Sequence, residues 1–387
     1  MPSFVPLGIA DYSGNSERGF VQFTYQIADN NAKELTLQIR DGSSVIYEEK
    51  ITDANKLKQG EHIWKWDGFD SGGILDTAKL TQYENLNLYT IGVDSSNNYS
   101  RKKLDFSMRY DEVKWVDVKI DKNSKRIDVT LRVNLKDGGA KGIECYEKDI
   151  DPDPKLRVPM EVCPWDEIPK KYLIAGKAPL KTRTKKFEDL ERLALEGLNY
   201  HWGRNRNHYI AKDVDIDGEK YEVYVNAINT TQKTMDDVSL IFNTNGDWIR
   251  SMNPGSVNGI VSFFGQVMPE RIVYNYGYIK GSKKWYWLGN NISNVDNDFS
   301  YTAAHEIGHE ILKAFSKAAF FSYKHKGSST LSETLPVNDG GSDYPITNEI
   351  DLMKYYNNDP YWYDFKRIVA DNKDLTGLLW LTKLEIK

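Results

Sequence analysis

His305-Glu306-Ile307-Gly308-His309 constrains this chain more than any other five residues in it. Two imidazoles four positions apart work together only on an α-helix, where residues i and i+4 share a face. The fold must therefore build a helix here and give it something to lean on. The flanks agree. No proline falls between Tyr301 and Ala319, and Ala304, Ile307, Ile311 and Phe315 form an apolar stripe at steps of three and four. A helix is expected over 301–319, with Asp296, Asp298 and Ser300 as N-cap candidates. Gly308 costs such a helix about 1 kcal/mol, which implies a neighbour too close for a side chain. So placed, His305 and His309 offer two nitrogens to one Zn²⁺. Glu306, one step around the helix, can take a proton from a water whose pKa the metal lowers to about 7. The alternative is a surface helix with two solvated histidines, and the apolar stripe argues against it.

A catalytic zinc takes three protein ligands and leaves one position open. A histidine six residues after the second would resemble the metzincin pattern, but Phe315 stands there. Two candidates remain. His325 lies in Tyr323-Lys324-His325-Lys326-Gly327, and Glu349 in Thr347-Asn348-Glu349-Ile350-Asp351. The second is similar to the gluzincin pattern, in which an Asn-Glu pair supplies the third ligand and a following Asp orients the first histidine. Glu349 is thus the expected ligand. His325 is then an oxyanion donor, with third ligand and plain surface histidine as its other readings. Tyr355 and Tyr356 are further oxyanion donors, in a run that resembles a methionine turn. His201 and His208 read as locally hydrogen-bonded side chains.

At 387 residues, two or three domains are expected. A net charge of −5, with 51 scattered Lys and Arg, argues against a nucleic-acid binder. No 18-residue apolar run is present, so membrane insertion is not expected. Met1-Pro2-Ser3-Phe4-Val5-Pro6 has neither the basic start nor the apolar run of a signal peptide, so synthesis in the cytoplasm without a leader is expected. Cys145 and Cys163 flank a Pro- and Asp-rich loop. A disulfide and two buried thiols both fit that spacing.

Residues 1–110 read as all-β. Phe20–Tyr25, Leu35–Ile39, His62–Trp66 and Leu86–Val93 are rich in β-formers, several alternating with period two, and Asp41-Gly42 and Gln59-Gly60 mark turns. A hairpin follows, Val113–Ile120 and Arg126–Val133, turning at Asn123-Ser124; residues 111–169 are read as a β-rich connector. From 170 to 387 the texture becomes α+β. A helix begins at Phe187, and strands are expected at Tyr221–Ile228, Val238–Phe242 and Ile272–Ile279. That order is similar to a zincin catalytic domain, and Ile272–Ile279 is the candidate edge strand for a bound peptide.

Two resemblances rest on particular runs of residues. Trp64-Lys65-Trp66-Asp67-Gly68-Phe69-Asp70-Ser71-Gly72-Gly73-Ile74-Leu75 resembles a run in the Ig-like domain of flagellar hook-capping proteins, which implies a β-sandwich and no chemistry. Arg250–Gly255, His305–Glu310, Tyr323–Ser329 and Asn348–Met353 together resemble the zinc-metallopeptidase toxin domains of bacterial type VI secretion, over about residues 190–360. That resemblance implies peptide-bond hydrolysis by an antibacterial effector delivered to the target-cell periplasm, with a cognate immunity protein and a secretion-spike component as partners. A peptidoglycan amide hydrolase on the same zinc site is the first alternative. A non-enzymatic binding protein using the Ig-like front is the second.

Overall fold

The computed structural model describes residues 2–15, 17–149, 159–252, 270–317, 343–354, 356 and 364–387. The protein is rich in β-structure, spread over several sheets, with helices gathered on one of them.

The front unit packs a two-stranded sheet, Val21–Ile27 with Gly60–Trp66, against a four-stranded one. The second sheet runs Ser44–Lys50, Ala32–Asp41, Leu86–Asp94, Tyr99–Asp105, antiparallel throughout. Period-two alternation turns Trp64 and Trp66 inward together. Trp64 stacks on Phe23 of its own sheet and on Tyr47 of the facing one, and donates to Glu49 Oε2 at 2.8 Å. Trp66 Nε1 donates to the Phe69 carbonyl at 2.7 Å. Between them Gly68 turns with φ of +84°, and a Cβ there would stand 2.5 Å from Phe4 Cζ. A second tight turn follows, in which Asp70 Oδ1 accepts from Gly72 and Ile74.

The main sheet is built on one long strand, Arg126–Lys141. Val116–Asp121 pairs with it antiparallel, and Asp121 Oδ1 caps the turn by accepting from Asn123 and Ser124. On the strand's first half Glu219–Asn229 pairs in parallel; on its second half Asp237–Asn243 does, followed by Arg271–Asn275. Parallel neighbours need crossovers. The Phe187–His201 helix lies in one of them, burying Leu190, Leu193, Ala194 and Leu198. The hairpin expected as a connector is thus central to this sheet. Its outer strand also pairs with Ile74–Asp76 from the front region, so hydrogen bonds cross the boundary expected near 110.

Two other expectations are corrected. The single strand expected over 272–279 is two strands in different sheets, Arg271–Asn275 and Gly277–Gly281. Gly277 makes the break at φ of +86°, against the Thr244 hydroxyl. The outer side of Arg271–Asn275 is also engaged: Arg271 exchanges backbone bonds with Met252, and Val273 N donates to Ser251 Oγ. The candidate edge therefore has its own chain against it. Finally, Leu384–Ile386 inserts between Ser3–Phe4 and Met108–Tyr110, joining the far end of the chain to the front unit. Among the described residues no helix is long and apolar enough to cross a membrane.

Candidate metal centre

The histidine helix runs from Ile292 to Ser316, starting well before the expected 301. Asn291 caps it, its side chain accepting from Ser293 N at 3.0 Å. Asp296 is not the cap. It sits inside the helix and binds sideways, accepting from Tyr274 Oη and Lys185 Nζ at 2.7 Å each. The helix stops at Lys317, which takes the left-handed conformation. Ala304, Ile307, Ile311 and Phe315 are all buried, as their spacing predicts.

On this helix His305 and His309 are brought together. Their Nε2 atoms face one another at 3.2 Å. Two imidazole nitrogens on one tetrahedral zinc, each at about 2.0–2.1 Å, stand roughly 3.3–3.4 Å apart. His305 Nδ1 lies 2.7 Å from the Leu352 carbonyl. A carbonyl can only accept, so Nδ1 carries the proton and Nε2 presents a lone pair toward His309. Burial pushes His305 down to about 4, with the charge of Arg250 acting the same way against the opposing Leu352 bond. The ring is therefore neutral at neutral pH, the form a metal requires.

Gly308 has the close neighbours its position implies. A Cβ there would meet Met353 Sδ at 2.6 Å and Trp202 Cζ2 at 2.9 Å. Met353 is fully buried against the helix, in the turn that also carries Leu352. Trp202 Nε1 donates to the Ala304 carbonyl at 3.2 Å. Glu306 is pushed up to about 7 by burial, while Arg250 pulls it down. Arg250 thus places positive charge near both His305 and Glu306, a feature that sequence spacing did not single out.

Glu349 is not brought to the histidines. Arg204 Nη2 donates to both of its oxygens, at 2.7 and 2.8 Å, and this charge-assisted pair occupies the carboxylate. Among the described residues no His, Cys, Asp or Glu joins His305 and His309 with all ligand atoms within 4.8 Å of one another. Asp351, Asp371 and Asp374 do gather that closely, a group whose members the sequence does not link. Asp351 does not hold His305 Nδ1 either; the Leu352 carbonyl does so, one residue further on. His325 and Tyr355 lie outside the described residues. Tyr356 is engaged, its hydroxyl accepting from Asp351 N at 2.9 Å. His208 is locally bonded, its Nδ1 accepting from Ile210 and Ala211, whereas His201 Nδ1 bonds far along the chain, to the Ile368 carbonyl. Cys145 and Cys163 form a disulfide.

No family model matches this chain, and no curated protein matches it. Among solved structures it is similar to truncated FlgD from Helicobacter pylori, at 16% identity, over 31% of this chain and 82% of that one, with a TM-score of 0.17. A likeness that loose carries no argument about fold or function.

Proposed function

We propose that this chain is a zinc-dependent peptide-bond hydrolase with His305 and His309 as metal ligands. One observation carries the reading: two neutral-capable imidazoles with Nε2 atoms 3.2 Å apart, one of them fixed in its tautomer by a backbone carbonyl. That donor set and spacing fit zinc. Zinc held there would polarise the attacking water and the scissile carbonyl. Glu306 takes the proton from that water and passes it to the leaving amine. With Glu349 engaged by Arg204, His325 is the third-ligand candidate and Tyr355 the oxyanion donor.

The test is metal content and turnover on the same purified samples. Wild type and Glu306→Gln should each hold a single zinc, and His309→Ala should lose it. Glu306→Gln should lower turnover by about 10²–10⁴-fold. Unimpaired hydrolysis by Glu306→Gln, or a wild type that holds no zinc after addition, would overturn the proposal. Peptide and peptidoglycan-peptide substrates run side by side separate a protease from an amide hydrolase.

Following the resemblance, the setting we propose is the periplasm of a target bacterium, with a cognate immunity protein in the producer. The Cys145–Cys163 disulfide supports an oxidising place of action. Directing the chain to the periplasm of a test bacterium should arrest growth, and leaving it in the cytoplasm should not. Equal toxicity in both, or in neither, would count against that setting.

A further inference from the structure

Arg204 is buried, and each part of its guanidinium is used. Nε donates to the Asp213 carbonyl at 2.9 Å, Nη1 to the Ala370 carbonyl at 2.8 Å, and Nη2 to both Glu349 oxygens. Glu349 and Ala370 flank a small parallel ribbon, Ile350–Asp351 with Ile368–Val369. Glu349 directly precedes its first strand, and Ala370 directly follows its second. One rigid planar group therefore pins both strands at once. The ribbon continues by one more bond, Leu352 N to the Val369 carbonyl at 3.0 Å. The next acceptor along the chain is the Leu352 carbonyl, which holds His305 Nδ1.

From this juxtaposition we infer that Arg204 is a positioning residue for His305, acting through Glu349 and the Leu352 carbonyl. The inference rests on the zinc reading for its purpose, but the coupling exists in the protein alone. Arg204 and Ala370 fix where the ribbon lies. The ribbon fixes where the Leu352 carbonyl points. The carbonyl keeps the proton on Nδ1 and the lone pair on Nε2, aimed at His309. Without Arg204 the half-exposed Glu349 carboxylate turns to water, and the carbonyl loses its bracing.

The experiment reads the imidazole itself. Chelator-treated, ¹⁵N-labelled protein gives the His305 tautomer from two-bond ¹H–¹⁵N correlations, and competition with a chromophoric chelator gives zinc affinity. Wild type should show His305 protonated on Nδ1. Arg204→Gln should mix the tautomers and weaken zinc by about 10–100-fold. Arg204→Lys, which keeps the charge and part of the donor set, should recover some of both. Arg206→Gln, two residues away and exposed in an ion pair with Glu222, should behave as wild type. Glu349→Gln is the second route to the same loosening, and it carries the test if Arg204→Gln does not fold. An unchanged tautomer in a folded Arg204→Gln or Glu349→Gln protein would overturn the inference. So would tighter zinc binding in Arg204→Gln, which would mean that Arg204 restrains Glu349 from the metal. A wild type that shows the Nδ1–H tautomer but binds no zinc would sink the hydrolase reading and leave the positioning intact.

Discussion

At the scale of single residues, Gly308 and His201 make opposite demands on their surroundings. Gly308 has no side chain because Met353 and Trp202 occupy the space. Gly308→Ala would gain about 1 kcal/mol of helix propensity and lose about 1–3 kcal/mol to overpacking. Met353 Sδ ends a flexible side chain and can give way, but the indole of Trp202 is held by its bond to Ala304. The expected outcome is a net loss of about 1 kcal/mol in urea unfolding, and a gain in stability would show that the contact yields freely. His201 is buried, which pushes it down to about 4 from 6.5. Its folded form binds a proton less readily than its unfolded form. The stability it contributes is complete above about pH 6.5 and is lost as pH falls toward 4, by about 1.4 kcal/mol for each tenfold difference in proton affinity between the two forms. His201→Gln should therefore trail wild type at pH 7.5 and close the gap by pH 5 in thermal melts; a constant gap would mean that the folded ring takes up its proton as readily as the unfolded one. The two histidines proposed as metal ligands were legible in the sequence because their chemistry lives in side chains at a fixed spacing. The Leu352 carbonyl was not, since every residue has one. Asn348-Glu349-Ile350-Asp351 pointed to the right neighbourhood and not to the atom: His305 Nδ1 is held by the carbonyl of Leu352, one residue beyond that run, while an arginine from far upstream pairs with the Glu349 carboxylate.

At the scale of elements, the closest approach on the histidine helix is one helix crossing. A Cβ on Gly197 would stand 2.1 Å from the Ser300 carbonyl oxygen, so the Phe187–His201 helix and the histidine helix touch backbone to backbone there. Neither partner can rotate away as a side chain would. Gly197→Ala should cost about 3 kcal/mol or more, more than Gly308→Ala, and it should weaken zinc binding because the whole helix must shift. Equal destabilisation by the two variants would argue that the helices separate easily. Glycine commonly sits where a helix ends. The helix instead continues to His201, and the glycine serves a neighbour. The same limit applies at the other helix's start. Asp296, Asp298 and Ser300 have the right side chains for a cap, but only tertiary partners decide which polar residue caps; Tyr274 and Lys185 claim Asp296, and Asn291 is left to begin the helix.

At the scale of the whole molecule, most strands were legible from period-two patterning, and their partners were not. Arg126–Val133 reads as half of a hairpin, and it is; nothing in it announces that its other edge takes Glu219–Asn229 in parallel, or that the strand runs on to Lys141. Parallel pairing between distant segments leaves no local signal. Leu384–Ile386 is the extreme case. It holds Ser3–Phe4 on one side and Met108–Tyr110 on the other, and the nearby Lys383 reaches Glu17, Asp111 and Glu112. Removing residues 384–387 should lower the melting temperature and split one cooperative transition into two, seen by calorimetry. A single unshifted transition would mean that the front unit does not depend on this strand.

That three-stranded sheet also sets an order of events. Its three strands leave the ribosome, or the exit of any secretion channel that threads the chain from its amino end, far apart in time, with Leu384–Ile386 last. Until then the Met108–Tyr110 edge waits without its neighbour. The front unit can collapse early, but its seam with the rest of the protein closes only after the histidine helix has already emerged. A chain arrested partway would carry both His305 and His309 and still lack the strand that joins Ser3–Phe4 to Met108–Tyr110.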